Sequence, residues 1–339
     1  MKAVVMHEQG PPSVLLYEDV AMTTVADHEV LLQVAACGVS YHDIVERNGA
    51  YTRGAHFPAI LGYEISGTVV EVGSRVRGLK VGDRVCNKPF YSCGECRRCR
   101  NGMETACAQR KGVRGGYAEF VSLAAETLIA IPDQLSFEVA CMIGPTVGVA
   151  LNAVRDVAKV KLGDKVLITG SSGGLGLPSI ELSQAAGAQV IALTRSAAKR
   201  DSLLKMGAHH VVVAPDGHDF SEEVKALTHG EGVDVVIDNV GSRVFTPSFK
   251  SLAIGGRYAF VGQLFREDIT INPARIFFKR AQLLGVGSAR RDQLEDAVRL
   301  VAQGVVHPQV ARVMPLSQTD QAHALVESGE VVGRVVICP

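Results

Sequence analysis

The sequence predicts an α/β protein of two domains, one rich in short strands and one built on a doubly wound parallel sheet. Three observations predict it. The chain has 339 residues, more than one core usually organises and enough for two. Its first part carries short apolar runs broken by Gly and Pro. Beyond position 135, helix-like stretches alternate with apolar strands at the spacing of right-handed crossovers.

In the first part, strands are expected at Val30–Ala35, Gly67–Val72 and Phe120–Ser122, with turns at Gly10-Pro11-Pro12 and Gly82-Asp83. A helix should open near Ser40 and run toward Asn48, where Gly49 ends it. In the second part, Lys165–Thr169 reads as a buried strand, followed by a glycine turn and a helix to about Gly187. Further strands are expected at Val190–Thr194, Val211–Val213, Val233–Asp238, Arg257–Gly262 and Leu283–Val286. A helix over Asp292–Gln303 precedes a last strand region, Val331–Ile337, which should rejoin the first domain. The expected division is 1–135, with a cysteine lobe at 86–112, then 136–289, then a return over 290–339.

Lys plus Arg and Asp plus Glu balance at 35 each, so no basic face points to nucleic acid or an anionic membrane. No apolar run of membrane-spanning length and no secretory signal is read, and the expected location is the cytoplasm. Four of the eight cysteines, Cys93, Cys96, Cys99 and Cys107, form C-x2-C-x2-C-x7-C in a Gly/Arg-rich loop. Four thiolates close a tetrahedron around Zn²⁺ and leave no open position, so one structural zinc is expected. The spacing lacks the usual ferredoxin pattern.

Gly170-Ser171-Ser172-Gly173-Gly174-Leu175-Gly176 joins the strand Lys165–Thr169 to a helix. Glycines at every third position suit a tight turn, close approach to a pyrophosphate, and close helix–sheet packing. The helix start offers backbone N–H groups to the same anion. An NAD site usually ends its second strand in Asp or Glu, to accept from the ribose 2′-OH. Here the strand ends in Thr194, followed by Arg195 and Ser196, with Lys199 and Arg200 a turn on. Cations without a local carboxylate favour a 2′-phosphate, hence NADPH. Lys199 and Arg200 also read as a solvated helix face; Arg195, directly after the strand, is the more specific signal.

Together these residues resemble the zinc-containing alcohol dehydrogenase branch of the medium-chain dehydrogenase/reductase superfamily. The resemblance spans the chain and includes Gly62-Tyr63-Glu64-Ile65-Ser66-Gly67, the cysteine lobe, the glycine turn, residues Asp234 to Gly241, and residues Gly255 to Gly262. It implies a GroES-like catalytic domain made from both chain ends, a Rossmann nucleotide domain between them, and a homodimer or homotetramer. It also implies nucleotide contacts at Thr146, Asn239, Val240, Val261 and Gly262.

The departures bear on function. Ser40, Tyr63 and Pro145 stand where members with a catalytic zinc carry its three ligands. A serine and a phenol are poor zinc ligands near neutral pH, and proline has no side-chain lone pair. Carbonyl reduction leans on a Lewis acid for its alkoxide. Reduction of a conjugated C=C spreads charge into an enolate that hydrogen-bond donors can hold. The expected activity is therefore NADPH-dependent reduction of the C=C bond of a small α,β-unsaturated carbonyl compound, with an enoyl-CoA such as acryloyl-CoA among the substrates. One alternative is an alcohol or ketone dehydrogenase with an unusual zinc site or a metal-free relay. Another is an inert nucleotide-binding protein.

The candidate catalytic residues are Ser40, Tyr41, His42, Tyr51 and Tyr63. Tyr51 matches a Gly-x-Tyr region that lies by the substrate in zinc-free reductases. Tyr63 is expected to hydrogen-bond the carbonyl. Ser40 is read as a donor to the substrate oxygen or as a filler of vacated metal space. Tyr41 and His42 are read as a proton relay, or as packing and capping groups. Thr146 is expected to accept from Ser40 or Tyr41.

Overall fold

The computed structural model describes residues 1–50 and 56–339. Contacts divide it into two units: residues 1–148 with 288–303 and 308–339, and residues 149–287 with 304–307.

The first unit is organised by the long strand Glu29–Val39, an almost unbroken apolar run that is buried along most of its length, as a strand covered on both faces requires. Its first half pairs with Phe120–Ala124, its second half with Arg334–Cys338, and its full length with Glu64–Val72. The sheet runs Val310–Pro315, Arg334–Cys338, Glu29–Val39, Glu64–Val72, Arg84–Asn87, Leu128–Ala130. Val30, Leu32, Val34, Ile65, Val69, Val85, Val335 and Ile337 form its core. Strands from the first 130 residues and from the last 30 thus share one sheet, while Lys2–Met6 pairs with Leu15–Asp19 in a two-stranded sheet of its own.

The strand Glu29–Val39 delivers the helix Tyr41–Arg47. Ser40 caps it: Asp43 N donates to Ser40 Oγ at 3.3 Å, and Ser40 N donates to Asp43 Oδ2 at 2.8 Å. Arg47 ends it with an almost fully buried guanidinium. That group donates to Glu327 at 2.7 Å, to Gly10 O at 3.1 Å and to His323 Nδ1 at 3.3 Å. Because arginine only donates, His323 must carry its proton on Nε2, 3.0 Å from Tyr117 Oη. The helices Tyr41–Arg47 and Thr319–Ser328 are locked together through these buried groups.

One helical stretch, Phe137–Val157, is long and apolar enough to cross a membrane, and 72% of its most apolar window is buried, as in the core helix of a folded domain. Its turn Ile143–Gly148 is a wide π turn. Pro145 has no N–H for the helical ladder, and Val147 N bonds Met142 O at 3.1 Å, five residues back.

The second unit holds six parallel strands. In space they run His210–Val213, Gln189–Thr194, Lys165–Ile168, Val233–Asp238, Leu252–Phe260, Gln282–Gly285. In chain order this is 3-2-1-4-5-6, the doubly wound dinucleotide-binding arrangement. Its core includes Leu167, Ile191, Val236, Phe249 and Tyr258. The strand expected from Arg257 begins earlier, at Leu252, which pairs with Val233 ahead of an irregularity where Gly255 takes φ +79° and the register shifts before Arg257 meets Val235; the last strand begins at Arg334 rather than Val331.

Candidate functional site

In the cysteine lobe, Cys93, Cys96, Cys99 and Cys107 bring their sulfurs within 4.8 Å of one another. Two of the S···S separations are 3.5 and 3.6 Å, near the roughly 3.8 Å edge of a tetrahedron with Zn–S of about 2.3 Å. Backbone amides already point at the sulfurs: Cys93 N at Cys107 (3.4 Å), Cys96 N at Cys93 (3.4 Å) and Gln109 N at Cys107 (3.3 Å). The Cys93 amide holds the Cys107 thiol below its ordinary pKa, which favours the thiolate a metal needs. Among the described residues this is the one group of His, Cys, Asp or Glu side chains gathered for a metal ion, and it fits a structural Zn²⁺. The lobe is tethered by a residue that sequence reasoning missed. Lys88, 1% exposed, donates to Ser92 Oγ (3.0 Å), Glu104 (3.0 Å) and Glu126 (2.9 Å).

The positions where a catalytic metal would be held look different. Ser40 Oγ donates to Asp43 Oδ2 at 2.6 Å, so its hydroxyl proton serves the helix cap and not a substrate. Asp43 also accepts from Gly62 N at 2.9 Å, which ties the helix to the segment that carries Tyr63. Burial pushes the Asp43 carboxyl up to about 6 against those hydrogen bonds. Pro145 lies in the π turn described above. Tyr63 is 8% exposed; its phenol donates to Glu46, and Glu46 in turn pairs with Arg114 at 3.2 Å. The His42 ring stands edge-on to Tyr63, with centroids 4.2 Å apart. His42 and Glu46 are four residues apart on one helix, so both reach the same phenol. Tyr41 opens the helix, half-buried. Tyr51 lies outside the described residues.

Glu64 is fully enclosed, and its partners are Arg334 (2.8 Å) and the hydroxyl of Thr146 (2.7 Å). Thr146 also accepts from Arg334 at 2.7 Å. Thr146 thus bonds Glu64 and Arg334, where the sequence placed it with Ser40 or Tyr41; the π turn aims its side chain at the sheet. Burial raises the Glu64 carboxyl in spite of the guanidinium beside it. Among the described residues, Glu64 Oε2 and Arg334 Nε are buried with no hydrogen-bond partner. Gly38 makes room for this pair, since a Cβ there would fall 2.4 Å from Glu64 Oε2. Serine, tyrosine and proline at these positions, with the nearby carboxylates Asp43, Glu46 and Glu64 each already bonded to protein groups, do not fit a catalytic zinc.

In the second unit the glycine turn fits a dinucleotide. Gly170 has φ +57°, as a tight turn requires. At Gly173 an added Cβ would meet only Gly170 O at 3.4 Å, so its face is clear for a pyrophosphate. At Gly176 a Cβ would meet Gly170 O at 2.4 Å and Ser171 O at 2.5 Å, so only glycine lets the helix Gly176–Ala185 start so close to the turn. Ser171 Oγ donates to Ile168 O and accepts from Leu193 N, fixing the turn to two strands. Ser172, Gly174 and Leu175 complete the turn.

Asn239 donates Nδ2 to Thr169 O at 2.9 Å, and its Oδ1 is buried and unpartnered among the described residues. Val240 and Gly170 are in contact range, and Gly262 packs on Asn239 O. Val261 and Gly262 line a cavity of about 410 Å³ with Phe260, Gln263, Glu267 and Asp268. Asp238, at the end of the strand Val233–Asp238, is a buried acid whose part sequence reasoning missed. Asp238 accepts from Thr169 (2.6 Å), Tyr258 (2.7 Å), Val240 N and Gly241 N (3.0 Å each).

Past the second strand, Lys199 is buried rather than solvated and donates to Ser172 Oγ at 3.2 Å. Thr194 Oγ1 accepts from Ser196 N at 3.2 Å. Arg195 is exposed and pairs with Asp216 at 3.2 Å. A carboxylate is therefore present, brought from the end of the third strand.

Two family models match the chain: the alcohol dehydrogenase GroES-like domain over residues 26–133 and the zinc-binding dehydrogenase domain over residues 174–303. The chain is 32% identical to an acryloyl-coenzyme A reductase of Sulfurisphaera tokodaii, over 100% of both chains. It is 33% identical to an alcohol dehydrogenase of Geobacillus stearothermophilus, over 99% of each. The crystal structure of AibC superposes with a TM-score of 0.92 at 40% identity, covering 100% of this chain and 96% of that one. The chain belongs to the medium-chain dehydrogenase/reductase family of NAD(P)H-dependent oxidoreductases.

Proposed function

We propose that the protein is an NADPH-dependent reductase of the C=C bond of α,β-unsaturated carbonyl compounds, acting without a catalytic zinc, with enoyl-CoA thioesters such as acryloyl-CoA among its substrates. The observation that carries this reading is the state of the former ligand positions. Ser40 is spent on a helix cap, Tyr63 is bonded to a carboxylate, Pro145 is a π-turn residue, and Glu64 is neutralised by Arg334. Similarity to an acryloyl-coenzyme A reductase supports it.

NADPH, when bound, supplies the hydride that goes to the β carbon. The chain's own residues serve the rest. Gly170 to Gly176 receive the pyrophosphate; Thr146, Asn239, Val240, Val261 and Gly262 flank the cofactor; Thr194, Arg195, Ser196 and Lys199 receive the 2′-phosphate. Tyr63 holds the proton destined for the α carbon; Glu46, ion-paired with Arg114, accepts from the phenol and orients it, and the phenolate left by the transfer recovers its proton from water. Tyr41, His42 and Tyr51 are assigned to the same proton path, with Ser40 fixing the helix that carries it. In this reading 1–135 and 290–339 carry the substrate chemistry and 136–289 the nucleotide. The strand Gln282–Gly285 ends its sheet beside exposed Phe277, Phe278 and Ile254, and a second copy of the chain pairs there in a homo-oligomer.

The test is product analysis with purified protein, NADPH and crotonaldehyde. Butanal means the C=C bond was reduced, and thioesters follow. Crotyl alcohol means the carbonyl was reduced, which defeats this reading in favour of an alcohol dehydrogenase.

A further inference from the structure

The strands Gln189–Thr194 and His210–Val213 are parallel neighbours with Thr194 opposite Val213, so their carboxyl ends are level. Arg195 follows the one and Asp216 the other. Arg195 Nη1 donates to Asp216 Oδ2 at 3.2 Å, and both side chains are more than half exposed (62% and 57%). On the same edge Lys199 Nζ reaches Ser172 of the glycine turn. Nucleotides bind outside the carboxyl ends of such strands. Two cations, a hydroxyl and one acid therefore face the end of the sheet where an adenosine ribose binds.

The acid treats the two cofactors oppositely. A 2′-phosphate is a second anion for the guanidinium that Asp216 already holds. Arginine has enough N–H donors for both, but the phosphate then sits within Coulomb range of a carboxylate. An exposed ion pair is weak, so a phosphate can enter in spite of it. A ribose 2′-OH instead donates to a carboxylate, the contact typical of NAD sites.

Building on the reading above that NADPH is the preferred cofactor, we propose that Asp216 is a specificity-determining residue: it weakens NADPH, supports NADH, and leaves the chain able to use both with NADPH ahead. The signal was invisible locally because Asp216 lies 21 residues beyond Arg195.

Titration of NADPH and NADH fluorescence against the intact protein tests it with Asp216→Asn and Arg195→Ala. Asp216→Asn should tighten NADPH by about fivefold and weaken NADH by about twofold, with the gain shrinking in high salt. Arg195→Ala should erase most of the preference for NADPH. If Asp216→Asn leaves NADPH unchanged or weaker while Arg195→Ala removes the preference, Asp216 merely orients Arg195 and the proposal is overturned, with the NADPH reading intact. If Arg195→Ala leaves the NADPH-to-NADH ratio unchanged, the NADPH reading itself fails and the proposal falls with it.

Discussion

Two polar clusters of the first unit make an instructive contrast. In the lobe, four sulfurs face one another, and backbone amides are already aimed at them. Around Ser40, Tyr63 and Glu64, each side chain is bonded to a different protein group, Asp43, Glu46 and Arg334 respectively, with Glu64 Oε2 left over among the described residues. The first cluster is arranged for a cation. The second has replaced one with hydrogen bonds and a guanidinium. A cluster's demand for a metal shows in whether its donors converge on a common point or are already paired.

The contrast can be broken most severely at the lobe. Cys107→Ser, or exhaustive chelation, should remove zinc, counted by elemental analysis as one ion per wild-type chain, and cost roughly 4 kcal/mol or more in stability. A chain that keeps its melting temperature without zinc would mean the lobe is held by protein contacts alone. Lys88→Met should come next, at about 3 kcal/mol in denaturant unfolding, because it strands Glu104 and Glu126 beside a buried apolar chain. A loss below 1 kcal/mol would place those acids in solvent.

The helix that Ser40 caps is tested by pH at its other end, where Arg47 meets His323. His323 is held down to about 3, by burial first and Arg47 second. The folded ring therefore stays neutral where the unfolded ring takes up a proton, and the wild type loses stability as pH falls from 6.5 toward 3. Relative to His323→Gln, that loss should be about 1.4 kcal/mol per pH unit across the window. A pH-independent difference would show that the folded ring protonates normally. The smallest effect is expected at Tyr63→Phe, about a tenfold loss of kcat with NADPH binding unchanged. Equal kcat would remove Tyr63 from the proton path.

Local signals in the sequence were read well. The cap at Ser40 and the stop at Gly49 framed a helix found at Tyr41–Arg47. The glycine turn and its flanking strands carried their geometry in the spacing, as did the four cysteines. What escaped were partners far apart in sequence. Arg334 meets Glu64 across 270 positions, His323 meets Arg47 across 276, and Asp216 meets Arg195 across 21. No periodicity or capping rule reports such pairs, because they exist only once the sheets have formed. For Lys199 the sequence left a solvated helix face open beside a cofactor contact, because its hydroxyl partner sits in another loop; the side chain is buried.

The strand Arg334–Cys338 lies inside its sheet, between Val310–Pro315 and Glu29–Val39, and brings the guanidinium that Glu64 needs. On the ribosome this imposes an order. Residues 149–287 can complete their own sheet while the earlier strands wait, with a gap in the sheet and an acid inside it lacking its counter-ion. The part of the protein made first is therefore the part finished last, and a stall before Arg334–Cys338 is made would leave an intact nucleotide domain joined to an open-edged sheet, a species prone to aggregate.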